Sequence, residues 1–301
     1  MAARMTRWLL PPIARGRVAA LRSILYSFIF IDVFLTTAWV ARHGDLPDAL
    51  YHPLFIGRWL PLPTPGPLLV PVVQVALLIC AALAATGRSP RLWGSLVFVL
   101  YLEWMFIAMS YGKVDHDRFA FLVALAVLPT AGTAAWGEDT ADERAGWAIR
   151  CIQLAVVATY LLAVVAKFRF GGLAWLGGAT LMRAVIRRGT DLGRMLEDQP
   201  GLLRAGQYLI ILFELGSPAL LGGGRVGRLY LIGAVAFHVV TWATIQIIFL
   251  PHLMCLLAFL PLEKLRLAAR TPPSTPPFQG GNTGSDSVGV TRSGPLRIRA
   301  R

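Results

Sequence analysis

The sequence predicts an all-α, polytopic membrane bundle of about eight spans, and three observations predict it. Hydrophobic residues make up 56% of the 301-residue chain and charged residues only 15%, whereas an average soluble domain is about 25% charged; the mean hydropathy is +0.61. Long apolar runs recur along the chain, with short polar joints between them. The positive charge gathers at the two ends. Residues 1–22 carry Arg4, Arg7, Arg15, Arg17 and Arg22 with no acid, and residues 263–301 carry seven Lys/Arg against Glu263 and Asp286. Each end thus holds +5 of the net +13. This is the positive-inside pattern, and it places both termini in the cytoplasm.

The apolar runs fall at 23–42, 67–86, 91–111, 118–135, 148–166, 207–222, 229–249 and 252–262. A helix needs about 20 residues to cross the hydrocarbon, so the shorter runs are expected to be tilted, kinked or partial. Arg88 and Arg91 join the second and third spans on the inside, and Arg225 and Arg228 join the sixth and seventh. The segment 43–67 contains Pro53, Pro61, Pro63 and Pro65 and is expected to be an outside loop that cannot be helical. The loop 167–206 should also lie outside. It nevertheless carries Lys167, Arg169, Arg183, Arg187, Arg188, Arg194 and Arg204, and its stretch from Leu181 to Arg188 reads as a short interfacial helix. The chain therefore divides into a basic cytoplasmic segment, 1–22, a transmembrane domain, 23–265, and a basic tail, 266–301. The Pro/Gly/Ser/Thr-rich composition of that tail predicts disorder.

Several function classes drop out. The net charge flanks the apolar body and no nucleic-acid recognition motif accompanies it, so anionic lipid headgroups, not nucleic acid, are the expected partner of the arginines. Cys80, Cys151 and Cys255 each stand alone in an apolar run, without a CxxC pair. The sequence shows no P-loop, GxSxG, internal repeat or metal-ligand spacing, and no metal is expected.

What remains is a set of ionisable residues inside or at the ends of apolar runs: Asp32, Glu103, Lys167, Glu214 and His238. A charge at bilayer depth costs roughly 2.5–3.5 kcal/mol on insertion scales, so such a residue is paired, faces a cavity or does chemistry. In the eight-span topology, Glu103, Glu214 and His238 reach toward one outward-facing cavity. Lys167 and the loop Tyr111–Arg118, with Asp115 and His116, stand at its mouth. Glu103 and Glu214 lie too deep for exposed carboxylates and call for a partner or a cavity, but the others also have a plainer role. Lys167 at a span end suits a snorkelling anchor, Asp115 and His116 suit a solvated loop, His238 suits a packed neutral imidazole, and Asp32 suits a partner for an arginine or hydroxyl.

These residues carry a resemblance. The segment from Tyr160 to Phe168, with Lys167 in it and Trp175 after it, resembles the membrane core of vitamin K-dependent gamma-glutamyl carboxylases and of the bacterial HTTM (horizontally transferred transmembrane) domain proteins. Those have a tyrosine, small apolar residues, a Lys-Lys pair and a tryptophan there; this chain has Ala166 in place of the first lysine. Asp115-His116 before Phe119 resembles the family's Asn-His before an aromatic helix, and Phe213-Glu214-Leu215 its acidic residue in an apolar helix. The stretch from His238 through Phe249-Leu-Pro-His252 to Pro261 resembles its His and Phe-Pro hairpin. The resemblance spans about residues 20–265. It implies an all-α membrane domain in a bacterial inner (plasma) membrane. It also implies a lipid quinol or similar apolar ligand such as vitamin K hydroquinone, with Lys167 as the base and His116 orienting or relaying a proton. Glu214, His238, Glu103 and Asp115 would support the site. In the carboxylases a large lumenal part follows this core, and a short tail stands there here, so carboxylation of a protein glutamate is not the expected reaction. Two other readings fit the same composition. One is a non-enzymatic transport or assembly subunit. The other is a quinone-linked redox subunit resembling the DoxX or MauE groups, which the absence of a cysteine pair or paired haem-ligand histidines disfavours.

Overall fold

The computed structural model describes residues 2–60, 62–112 and 114–265. Pro61, Lys113 and the tail 266–301, with its expected disorder, lie outside the described residues. Among the described residues the chain is all-α apart from one two-residue antiparallel pair, β1 (Ile13–Ala14) with β2 (Ala141–Asp142). The helices are α1 (Ala2–Leu9), α2 (Arg15–Ile31), α3 (Leu69–Ala85), α4 (Pro90–Met109), α5 (Phe119–Val127) and α6 (Glu143–Gly171). They continue with α7 (Ala174–Gly177), α8 (Thr180–Arg188), α9 (Asp191–Arg194), α10 (Pro200–Leu215), α11 (Gly224–Ile245) and α12 (Leu250–Leu256).

Prolines and caps set most of these limits. Pro90 and Pro200 open α4 and α10 at the first helical turn, where the missing N–H removes no intrahelical bond. Pro129 stops α5, and the chain tightens into a 3-10 turn at Leu128–Ala131. Pro218 does the same after α10, at Ser217–Gly222. The Asp142 carboxylate accepts a hydrogen bond from the Arg144 amide at 2.7 Å and caps α6. Gly172, with φ at 58°, ends it. Among its described residues, the proline-rich segment contains no α-helix but 3-10 turns, at Ala38–Asp45, Asp48–Leu50 and Ile56–Arg58.

All eight apolar runs contain helical backbone, but where eight spans are expected only four helices among the described residues are long and apolar enough to cross a bilayer. These are Arg15–Thr36, Pro90–Met109, Glu143–Gly171 and Gly224–Ile245. Leu69–Ala85 and Leu250–Phe259 are apolar but shorter, α5 has 9 residues and α10 has 16. The difference has a physical cause: a run of apolar residues counts 3-10 turns and proline breaks as if they extended the helix.

α2 packs on α3, α3 on α4, α4 on α5 and α5 on α6. α10 and α12 then lie against α6. Trp104, Tyr26, Tyr101, Phe121, Leu25 and Ile29 are fully buried in the resulting core. Gly94 lets α4 close on α2: a Cβ there would sit 2.6 Å from the Tyr26 Oη. The outer faces are also apolar. α11 buries only Gly227, Ala234, His238 and Ile245, while Val235, Val239, Val240 and Trp242 are exposed, as are Leu209 and Leu212 on α10 and Val72, Val75 and Ile79 on α3. Apolar faces of this extent are what a helix offers to lipid.

Within the core, Asp32 and Arg118 form a closed polar centre. α2 runs into a π turn at Asp32–Thr36. The Arg118 Nη1 donates to both Asp32 carboxylate oxygens, at 2.6 and 2.7 Å, and the Tyr101 hydroxyl donates to Asp32 at 2.8 Å. The Thr36 hydroxyl also bonds the carboxylate. Asp32 thus has both an arginine and hydroxyls as partners.

Candidate functional site

α6, α8, α10 and α11 enclose a cavity of about 510 Å³, in the range of small-ligand sites. Helical periodicity supplies its walls. Tyr160, Ala163 and Lys167 recur at three- and four-residue steps on α6; Leu203, Gly206, Ile210 and Glu214 do so on α10; and His238, Thr241 and Ile245 do so on α11. The wall is mostly apolar, so its few polar groups stand out.

The first of these groups is an ion pair. The Lys167 Nζ donates to both oxygens of the Glu214 carboxylate, at 2.6 and 2.7 Å. Glu214 is nearly buried, with its side chain 6% exposed, while that of Lys167 is 20% exposed. The ammonium also lies 5.5 Å from the centre of the Trp175 ring, a cation–π distance. Trp175 is fixed in turn by Gln207 on α10. The Gln207 Nε2 donates to the carbonyls of Trp175 and Leu176, and its Oε1 accepts from the Leu181 amide at 3.3 Å. The other side of the roof is pinned to α11: the Thr190 amide donates to the Thr244 carbonyl at 3.0 Å, and the Thr190 hydroxyl caps α9 through the Gly193 amide.

The second group is a ring cluster. The His238 Nε2 and the Tyr160 hydroxyl are hydrogen-bonded at 2.9 Å. His252, at the start of α12, stands edge-on to Tyr160 with ring centres 4.7 Å apart. His116 and Asp117, on the 3-10 turn His116–Arg118, complete the lining. Burial pushes the Asp117 carboxyl up to about 6, against the opposing effect of Arg118 beside it. Among the described residues, no group of three or more His, Cys, Asp or Glu is arranged to hold a metal ion.

The cavity wall therefore contains Lys167, Glu214, His238 and His116 from the sequence reading. Glu103 and Asp115 are not part of it. Glu103 sits on α4 with one carboxylate oxygen buried and unpartnered, and Asp115 directly precedes the turn that carries His116. Tyr160, Asp117 and His252 lie in segments that the sequence singles out without marking them as site residues, and Gln207 escaped it altogether. Tyr160 was visible seven residues before Lys167, two helical turns away on one face. His252 follows Pro251 in an apolar stretch, which gives no sign of where its ring turns.

The fold and cavity define the class: an α-helical chain with, among the described residues, four helices long and apolar enough to cross a membrane, and a ligand-sized, largely apolar chamber lined by α6, α8, α10 and α11. No family model, no curated protein and no solved structure matches the chain.

Proposed function

We propose that the chain is an integral membrane protein of the HTTM and carboxylase-like type. It holds an apolar ligand bearing a hydroxyl, of the lipid quinol class, and uses Lys167 as the base. The observation that carries this reading is the Lys167–Glu214 pair set into the wall of an apolar chamber. The residues fit such a ligand. The wall offers apolar surface to a ring or prenyl-like body, and buried imidazole nitrogens with no partner to its oxygens.

In water, Lys167 is an ammonium and therefore no base. The pair changes this. Ammonium–carboxylate and amine–carboxylic acid differ by one proton moved along a 2.6 Å hydrogen bond, and a largely apolar wall narrows the gap between them because it disfavours separated charges. Lys167 receives a proton from the ligand hydroxyl as it passes its own to Glu214. The pair goes from net zero to plus one, and the negative charge left on the ligand oxygen lies beside the ammonium. Trp175 covers part of the ammonium and the wall around Glu214 is mostly apolar, which limits the water that can compete for that proton. His116 faces the chamber at its rim, and we assign it the orienting or relay role.

The same ion pair would also serve as a purely structural clasp in a non-enzymatic subunit, and Lys167→Arg separates the two readings. Arginine keeps the pairing with Glu214, but guanidinium does not give up its proton. The base reading expects Lys167→Arg to insert and fold with an unchanged melting temperature and to lose the activity or growth phenotype that the intact gene supports. Lys167→Ala should lose it too, with partial recovery on adding small amines. Full activity of Lys167→Arg would make Lys167 an anchor.

A further inference from the structure

The ring cluster in the chamber wall has hydrogen-bonding capacity that the protein leaves unused. Among the described residues, the His238 Nδ1 and both nitrogens of His252 have no hydrogen-bond partner. Both side chains line the chamber, His252 is 1% exposed and His238 is 5% exposed, and their ring centres are 5.4 Å apart. A buried ring nitrogen without a partner is destabilising, and a phenylalanine would fill the same wall without that cost. These nitrogens therefore point to a ligand.

The chemistry of that ligand follows from what surrounds the pair. A phenol donates better than it accepts, so the Tyr160 hydroxyl donates to the His238 Nε2, and the tautomer this selects carries its proton on Nδ1. His238 thus presents a donor to the chamber, and a neutral His252 presents one donor and one acceptor. Lys167 is the only Lys or Arg in the chamber wall among the described residues, and Glu214 occupies it. An anion at the histidines would have no counter-charge. We propose that His238 and His252 form a neutral hydrogen-bonding subsite for an uncharged oxygen of the ligand, a ketone or quinone carbonyl or an undissociated hydroxyl. It is built from other elements than the Lys167–Glu214 pair: His238 stands on α11 and His252 on α12, whereas the ion pair joins α6 to α10. This assignment rests on the reading of the chamber as an apolar-ligand site. The ligand is then an apolar body with oxygen at two separate places, one facing the ion pair and one facing the histidines.

The test uses the full chain in detergent and two probes of equal size, a dimethylnaphthoquinone and the matching dimethylnaphthalene, with dissociation constants measured by equilibrium dialysis in the same micelles. The wild type should prefer the quinone. His252→Phe and His238→Phe should each weaken quinone binding about fivefold to tenfold, the scale of one hydrogen bond lost, and leave the hydrocarbon within about twofold. His252→Gln, which restores a donor and an acceptor, should recover part of the loss. Quinone affinity unchanged in both phenylalanine variants would overturn the subsite. If those variants do not fold, the wild type decides alone: equal affinity for the two probes overturns the subsite and leaves the chamber reading standing. Binding of neither probe overturns the chamber reading and the subsite with it.

Discussion

Two ion pairs of the same formal chemistry, Asp32–Arg118 and Lys167–Glu214, differ in how they are enclosed, and the contrast between them separates structure from function. Asp32–Arg118 is saturated. Its side chains are 0% and 6% exposed, the carboxylate takes two bonds from Arg118, one from Tyr101 and one from Thr36, and neither residue lines the main chamber. Lys167–Glu214 is sparse. The carboxylate is bonded only to the lysine among the described residues, and the pair stands in a chamber wall. Arginine at the first site cannot lose its proton, and lysine at the second can. A pair closed in by hydroxyls fixes helices; a pair with one open side is available for a ligand.

The largest effect is expected at the closed pair. Arg118→Met leaves the Asp32 carboxylate buried without a counter-ion, and should cost about 3–5 kcal/mol of stability. Thermal unfolding in detergent checks this. The double variant Asp32→Leu with Arg118→Met should recover most of the loss, since no charge is then stranded. If Arg118→Met melts like the wild type, the pair does not clasp the core.

The open pair should behave more mildly. Lys167→Met and Glu214→Gln should each cost about 1–3 kcal/mol, because solvent reaches the lysine. The double variant should cost clearly less than the sum of the two. Strict additivity in thermal unfolding would show that the two residues do not interact. Ligand binding or activity should suffer in these variants out of proportion to stability, whereas the reverse holds at Arg118.

A smaller effect marks the boundary between the two centres, where Asp117 lines the chamber and its neighbour Arg118 belongs to the core. The carboxyl of Asp117, raised to about 6 by burial, binds its proton more tightly in the folded than in the unfolded chain, whose value is about 3.9. Its contribution to stability is thus fully present below about pH 4, declines as the pH rises to about 6, and is flat above. Asp117→Asn should remove that decline and stabilise the protein by about 1–2 kcal/mol at pH 7.5. A melting temperature for Asp117→Asn that follows the wild-type pH curve would place the proton elsewhere.

Much of this arrangement was legible in the sequence, for identifiable reasons. Helical class and the position of every apolar run follow from composition, and Lys167, Glu214 and His238 are conspicuous because an ionisable group in an apolar run needs a reason. The number of spans was not legible. Where Pro129 and Pro218 cut a helix short is a local backbone event that hydropathy does not register. Nor was it legible that Glu103 and Glu214, similar as acids in apolar helices, go different ways. Which face of α4 or α10 meets a chamber is set by the packing of distant segments. Asp32 and Arg118 meet across 86 positions, and Gln207 meets Trp175 across 32; no local pattern contains either contact.

The central claim is that the Lys167–Glu214 pair takes a proton from a hydroxyl held in the chamber. A nitrophenol with a short alkyl chain reports this directly, since its absorption band shifts when it ionises. It would be bound to the full chain in detergent about one pH unit below its solution pKa and its spectrum compared with that of the same probe bound to Lys167→Met. The wild type should show the ionised band and Lys167→Met the neutral band, with similar dissociation constants from the apolar contacts. A wild-type complex that binds the probe and keeps it neutral would contradict the claim.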